Sequence, residues 1–144
     1  MKPLAGVSGV WPDVTAIEKA FETMPSLQPM NLENRSTHAA AFCDLSGKVE
    51  LVREDIGRHN ALDKLAGALA REGRDASGGF ILMSSRCSVE LVQKAAAIRA
   101  PFIASGYPVD SAMNPFTLTG NPPTADGDVV LDANTAEIAQ TKLG

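Results

Sequence analysis

The sequence predicts a single α/β domain in which helices pack against a mixed β-sheet. Three features predict it: a candidate β-hairpin opens the central part of the chain, strands and helices alternate after it, and the candidate helices each have an apolar face. Strands that alternate with crossover helices are typical of two-layer or three-layer α/β domains. The chain has 144 residues, a length that suits one domain with its own hydrophobic core.

The first elements are an arm and a helix. Residues 1–11 show no hydrophobic period and are predicted to be a loose arm. Pro12 suits the first turn of a helix, and Asp13 suits a helix N-terminus. Apolar residues then recur at helical spacing as far as Met24, and Pro25 is predicted to end the helix.

A connector and a β-hairpin follow. Residues 25–36 contain two prolines and two asparagines and are predicted to be a connector. Residues 38–45 are mostly small and apolar, and residues 48–53 alternate polar with apolar side chains, as a half-buried strand does. Between them, Ser46 and Gly47 are a turn signal, so the two runs are predicted to pair as a hairpin.

The remaining elements alternate helix with strand. Apolar spacing predicts helices through residues 61–69 and 89–96, and short apolar runs predict strands at residues 80–83 and 102–104. Residues 106–127 are rich in glycine and proline, so an irregular segment is predicted there. One more short strand and a short helix are predicted after it.

Composition excludes several classes of function. The net charge is −4 and the isoelectric point is about 5.1, which argues against a nucleic-acid footprint over the whole surface. No apolar run approaches the roughly 18 residues that span a bilayer. The two cysteines are 44 positions apart and suggest no disulfide framework. We therefore expect a cytoplasmic protein with reduced thiols that binds neither nucleic acid nor membrane.

Two strand-to-helix junctions, at residues 55–60 and 84–88, carry the strongest chemical signal. Each is predicted to place an arginine, Arg58 or Arg86, in the first turn of a helix, where a positive side chain opposes the helix dipole. A bound anion, held also by free backbone N–H groups, would account for that arrangement. Gly57 would let a backbone approach closely. The pattern favours a site for a phosphate-bearing ligand; the alternative is two ordinary surface arginines.

Other polar residues near the junctions have two interpretations each. His59 and Asn60 either hydrogen-bond a base, a pterin or a substrate, or cap the helix. Cys87, beside Arg86 and near a predicted helix N-terminus, is expected to have a lowered thiol pKa and is a candidate to carry a persulfide. The alternative for Cys87 is a small buried side chain. Cys43 lies within a predicted strand and is expected to be core.

A zinc site has little support. The zinc deaminases require His-x-Glu and Pro-Cys-x-x-Cys, whereas His38 precedes two alanines and the chain has no Cys-x-x-Cys. The two histidines and two cysteines are too dispersed to form a recognisable ligand set. A zinc deaminase is therefore the least favoured hypothesis.

Three segments resemble the formate dehydrogenase accessory sulfurtransferase family: residues 37–44, 52–64 and 84–95. The middle one contains Arg-Glu-Asp-Ile-Gly-Arg-His-Asn-Ala-Leu-Asp-Lys, a highly specific signature. The third has Ser85 where the family's Ser-Gly-Arg-x-Ser-x-Glu block has glycine. The resemblance covers roughly residues 20–105.

The resemblance implies a cytidine-deaminase-like fold without zinc, in a cytosolic and usually dimeric protein. It implies that sulfur from a cysteine desulfurase passes to the molybdenum bis-pterin guanine dinucleotide cofactor, which is the bound substrate, for the benefit of formate dehydrogenase. No metal would be bound directly by the protein. Together with the junctions, the family motifs make these residues candidates for cofactor binding: Gly57, Arg58, His59, Asn60, Asp63, Ser85, Arg86, Ser88, Glu90 and Lys94.

Two departures from the family pattern open alternatives. The family's sulfur-carrying Cys-x-x-Cys loop is absent, so the chain resembles an N-terminally shortened member in which Cys87 is the candidate sulfur carrier. Residues 105–109 also replace the family's Ser-Ala-Pro-Thr-like turn. The hypotheses are an active sulfurtransferase, a non-catalytic module that binds the molybdenum cofactor or a guanine nucleotide, and a degenerate fragment with neither activity.

Overall fold

The structure is a computed structural model that describes residues 11–106. The arm predicted for residues 1–11 and the irregular segment predicted for residues 106–127 lie almost entirely outside the described residues, as do the last predicted strand and helix. In chain order the elements are α1 (Val14–Thr23), a 3₁₀ turn (Met24–Leu27), α2 (Pro29–Asn34), β1 (His38–Asp44), β2 (Val49–Asp55), α3 (Arg58–Arg71), β3 (Gly79–Met83), α4 (Val89–Ala97) and β4 (Ile103–Ser105).

The four described strands form one mixed sheet in the order β2-β1-β3-β4. Strand β1 is antiparallel to both β2 and β3, and β3 is parallel to β4. The predicted hairpin is therefore confirmed as β1 and β2, and so is the mixed sheet with helices against it. Because β2 and β3 both run opposite to β1, they are parallel to each other, and their carboxyl ends meet at one edge of the sheet.

Helices cover both faces of the sheet, which resolves the open choice between two and three layers in favour of three. On one face, α3 and α4 bury their apolar sides against alternate residues of the strands, in a cluster that includes Leu62, Leu65, Leu91, Ala95, Ile81 and Met83. On the other face, α1 and the 3₁₀ turn pack in a second cluster that includes Ile17, Ala20, Met24, Phe80 and Leu82. Cys43 belongs to the second cluster and is fully buried, as expected.

The handedness of the strand–helix–strand connections places α3 and α4 on the same face of the sheet. The chain passes from β2 through α3 to β3, and from β3 through α4 to β4, moving across the sheet in one direction. Right-handed crossovers between parallel strands then put both helices on one side. Both helices consequently begin at the same edge of the sheet, which is where the two junctions predicted from sequence lie.

The connector predicted for residues 25–36 is wrong, because most of it is helical. A carboxylate from another element explains the difference: Glu54 of β2 accepts hydrogen bonds from the backbone N–H groups of Met30 (3.0 Å) and Asn31 (2.8 Å) at the start of α2. It also accepts one from the Thr37 hydroxyl at 3.0 Å. A negative charge at a helix N-terminus stabilises the helix, and this contact spans more than 20 positions, so local sequence does not report it.

No helix within residues 11–106 combines the length and the apolar character that crossing a bilayer requires.

Candidate anion-binding site

The two predicted junctions lie side by side at one edge of the sheet. Strand β2 ends at Asp55, opposite His38 of β1, and β3 ends at Met83, opposite Ala40. The two strand ends are thus separated by two positions along β1. Since α3 and α4 pack on the same face, the residues that lead into the two helices project from the same corner of the domain. The topology therefore places both junctions at the same edge of the sheet.

Asp55 organises the β2–α3 junction. One of its carboxylate oxygens accepts the backbone N–H of Gly57 (2.9 Å) and the side-chain amide of Asn60 (3.2 Å), and the other pairs with Lys64 at 2.5 Å. The hydrogen bond from Lys64, followed by that from Gly57, lowers the pKa of Asp55 to about 2. The Asn60 amide, a predicted cofactor contact, is therefore already bonded within the junction, and it lies 3.2 Å from the position that a Cβ on Gly57 would take.

The low pKa of Asp55 predicts a specific dependence of stability on pH. A carboxyl whose folded pKa is depressed stabilises the fold above its unfolded pKa of about 3.9 and loses that contribution as pH falls through about 2. Wild type should therefore be more stable than Asp55→Asn at pH 7, and the gap should narrow between about pH 4 and pH 2. Urea unfolding of both proteins across this window measures the gap, and a gap that stays constant would contradict the network.

The N-terminus of α3 is open to an anion. Its N-cap residue is Gly57, which has no side chain to bond the free N–H groups of the first turn. Arg58 is exposed and His59 is half-buried, and neither side chain makes a hydrogen bond or ion pair within residues 11–106. By contrast, α1 is capped by Asp13, whose carboxylate accepts the Ala16 N–H at 2.7 Å. Free donors, the positive end of the dipole and an unpaired guanidinium therefore coincide at the α3 tip.

The N-terminus of α4 differs from the prediction. This helix begins at Val89 with Ser88 as its N-cap, so Arg86 lies in the preceding loop and not in the first helical turn. The carboxyl of Glu90 lies in the first turn of α4, in the place of an external anion: hydrogen bonding with its own backbone N–H lowers its pKa, and the positive charges of His59 and Arg58 lower it further. The site is thus asymmetric, with its open half at α3.

Cys87 also departs from the expectation. The side chain is exposed, and its thiol contacts the Ser88 carbonyl oxygen at 3.8 Å. Neighbouring atoms nevertheless shield the sulfur from water enough to raise the pKa of the thiol, so the thiolate is disfavoured. The expected lowering was wrong because Cys87 precedes the N-cap of α4. Burial raises the pKa of Cys43 to about 12, as befits a core thiol.

Three more predicted ligand contacts have partners within the chain. Ser85 is only 1% exposed, and its hydroxyl donates to the Arg86 carbonyl at 3.3 Å. Its side chain therefore stabilises the β3–α4 loop from the buried side. Asp63 of α3 and Lys94 of α4 form an ion pair with each other at 2.6 Å. Four of the predicted cofactor contacts have side-chain polar groups that make no hydrogen bond or ion pair within the described residues: Arg58, His59, Arg86 and Ser88, whose hydroxyl oxygen is buried.

Sequence reasoning missed the structural roles of Glu54, Asp55 and Lys64. All three lie within the signature segment, and their side chains hold α2 and the junction in place through contacts within the chain. A signal for Asp55 was available, because an aspartate that bonds the backbone N–H two residues on is a common turn former. The roles of Glu54 and Lys64 depend on tertiary contacts.

Two clefts elsewhere contain no junction residue. One, of about 640 Å³, lies between β2 and α3 and is lined by Arg53, Lys64, Gly67, Ala68, Arg71 and Glu72. The other, of about 390 Å³, lies at the opposite edge of the sheet and includes Arg74, whose charge is paired with Glu50 and Glu72. Within residues 11–106, no three histidine, cysteine or acidic side chains are grouped closely enough to hold a metal ion.

Comparisons with known proteins identify the family to which the chain is similar. Residues 2–113 match the model of the FdhD/NarQ family. The chain is 50% identical over 93 residues to the sulfur carrier protein FdhD of Xanthomonas euvesicatoria pv. vesicatoria, covering 65% of this chain and 33% of that protein. It is 49% identical over 90 residues to the sulfur carrier protein FdhD of Variovorax paradoxus, covering 62% and 32%. The chain thus spans about a third of the length of these curated relatives.

A solved structure shares the fold. It is a Desulfotalea psychrophila protein assigned as a formate dehydrogenase accessory protein, with a TM-score of 0.63 and 23% sequence identity, covering 78% of this chain and 48% of that one. At this identity the likeness concerns the fold alone. The family model, by contrast, matches more than three quarters of the chain, and this chain therefore belongs to the FdhD/NarQ family.

Proposed function

We propose that this chain serves the sulfuration of formate dehydrogenase by holding the guanine dinucleotide part of the molybdenum cofactor at the N-terminus of α3. In this proposal the cofactor is a bound substrate, a cysteine desulfurase is the sulfur donor and formate dehydrogenase is the recipient of the sulfurated cofactor. The protein is expected to work in the cytoplasm as a homodimer. Family membership and the sulfur carrier relatives support the general role.

The observation that carries the binding proposal is the open tip of α3. A diphosphate is an anion with several acceptor oxygens, and the α3 tip offers uncapped N–H groups, the helix dipole and the free guanidinium of Arg58. Arg86 lies in the neighbouring loop and can contact a second phosphate or the base edge of the same ligand. Glu90 would repel a phosphate placed over α4, which favours a ligand seated over α3.

The sulfur chemistry is a separate part of the proposal. A persulfide forms when a thiolate takes the terminal sulfur from a donor persulfide, and within residues 11–106 Cys87 is the exposed thiol. Its raised pKa leaves little thiolate at neutral pH. That observation favours the second candidate function, in which this chain binds the cofactor and does not carry the transferred sulfur on Cys87.

Mass spectrometry distinguishes the two functions. After incubation with a cysteine desulfurase and cysteine, a carrier gains one sulfur atom at Cys87, and Cys87→Ala does not gain it. From the raised pKa of Cys87 we expect sulfur loading to be slow at pH 7 and faster as pH rises, because the thiolate is the attacking species. Loading that is fast at pH 7 and insensitive to pH would contradict this expectation.

Calorimetry with three ligands tests the binding proposal. GDP should bind, GMP should bind more weakly and guanosine should bind least, because phosphates carry the interaction with the helix tip. The affinity for GDP should fall as salt rises, since exposed charges are screened. Equal affinities for GDP and guanosine would place recognition on the base alone and would overturn the assignment to α3.

A further inference from the structure

Helices α3 and α4 are joined by one ion pair between side chains. Both carboxylate oxygens of Asp63 contact the Lys94 ammonium, at 2.8 Å and 2.6 Å. The two helices also share apolar core contacts through residues such as Leu62, Leu65 and Leu91, and the charges of Arg58 and His59 attract Glu90. Apolar packing is non-directional, whereas a charge-assisted contact with two short distances has a defined geometry.

We propose that Asp63 and Lys94 are positioning residues that set the distance between the α3 tip and the β3–α4 loop. Asp63 lies five residues after Arg58 in α3, and Lys94 lies in the last turn of α4, six residues after Ser88, so the pair fixes how the two helices lie against each other along their length. Arg58 and Arg86 can then contact one ligand together. This inference rests on the proposed function and changes the part that Asp63 and Lys94 play in it, from cofactor contacts to positioning residues.

Because Asp63 and Lys94 pair with each other, we do not assign them as ligand contacts. A lysine that contacts a phosphate would be expected to have a free ammonium group, as the guanidinium of Arg58 is free within the described residues. The charge of Lys94 is instead offset by the Asp63 carboxylate. Because the pair is exposed, with 57% of Asp63 and 35% of Lys94 accessible, it contributes little to global stability. Its loss should therefore appear in ligand affinity and helix spacing more than in the unfolding temperature.

A charge-swap experiment tests the proposal. Asp63→Asn and Lys94→Gln should each weaken GDP binding about two- to fivefold, the range that corresponds to an exposed pair. The double variant Asp63→Lys with Lys94→Asp should restore most of the affinity, because the pair re-forms with reversed polarity. If Lys94 contacts the phosphates directly, the swap places a carboxylate against them and affinity falls below that of either single variant, which overturns the proposal.

The matched control is Arg71→Gln. It removes one positive charge from the far end of α3, at a residue with no ion pair among residues 11–106. This variant should bind GDP as wild type does. A loss equal to that of Lys94→Gln would show that net charge, and not the pair, governs affinity, and would also overturn the proposal.

A measurement without ligand separates this inference from the proposed function. Spin labels attached to cysteines introduced at Ile56 and Val89, which are 76% and 68% exposed, report the distance between the two tips in a Cys87→Ser background. The distance distribution should broaden in Asp63→Asn and narrow again in the charge-swap variant. Distributions that are identical in all these proteins overturn the positioning role. If the distance changes in Asp63→Asn but the protein does not bind GDP, the proposed function is contradicted and the positioning role of the Asp63–Lys94 pair is supported.

Discussion

Arg58→Ala is expected to weaken the binding of GDP about tenfold to a hundredfold, since hydrogen bonds to charged groups contribute about 1.5–3 kcal/mol. The expectation follows from the open tip of α3, where the guanidinium makes no hydrogen bond or ion pair among the described residues and is attracted by the Glu90 carboxylate. Removing the side chain takes away this attraction between exposed groups, so the free energy of unfolding should change little. Isothermal calorimetry gives the affinity, and urea unfolding gives the stability.

Arg71→Ala is the matched control for this prediction. It removes the same side chain from the same helix, but from the last turn, far from the junctions. GDP affinity should be retained in this variant. If Arg58→Ala and Arg71→Ala lose affinity equally, the ligand responds to the overall charge of α3, and the site at its tip would be contradicted.

Gly47→Ala is expected to cost about 2–5 kcal/mol of the free energy of unfolding, the sum of two penalties. Gly47 lies in the turn between β1 and β2 with φ at +80°, a conformation that L-residues rarely adopt. A Cβ there would also lie 2.1 Å from the carbonyl oxygen of Ala16 in α1. The backbone of α1 cannot yield as a flexible side chain would, so α1 must move away from the hairpin. Urea unfolding measures the loss.

Gly73→Ala separates the two penalties. Gly73 follows α3 with φ at +67°, but a Cβ there would meet no atom within 4 Å. This variant should therefore cost only the conformational strain, about 1–2 kcal/mol. Equal losses at the two positions would show that α1 does not pack against the hairpin turn as the structure has it.

Local patterns sufficed for most of the fold. The alternation of residues 48–53 identified β2, and the apolar spacing of residues 61–69 identified α3, because each element presents one face to a single layer of core. The helical structure of residues 25–36 was missed because it depends on Glu54, which reaches α2 from β2. Because Glu54 lies more than 20 positions from α2 in the sequence, the local pattern of residues 25–36 does not indicate that it stabilises a helix there.

The candidate site remains a prediction, and the structure gives only its geometry. The sequence indicated that two strand-to-helix junctions carry arginines, and the structure places both junctions at one edge of the sheet, because carboxyl ends of parallel strands share an edge. The sequence did not reveal that Arg86 precedes its helix or that Glu90 occupies the tip of α4. Nor did it reveal that Asp63 and Lys94 pair with each other, since that contact depends on how two helices pack.

The most direct test of the site is a map of backbone amide chemical shifts during titration with GDP. If the ligand lies over the open tip of α3, the amides of Arg58, His59 and Asn60 should shift most, with smaller changes in the loop that carries Arg86. If the largest shifts instead fall along the cleft between β2 and α3, at Arg53 and Arg71, the anion binds elsewhere and the account of the α3 tip is wrong.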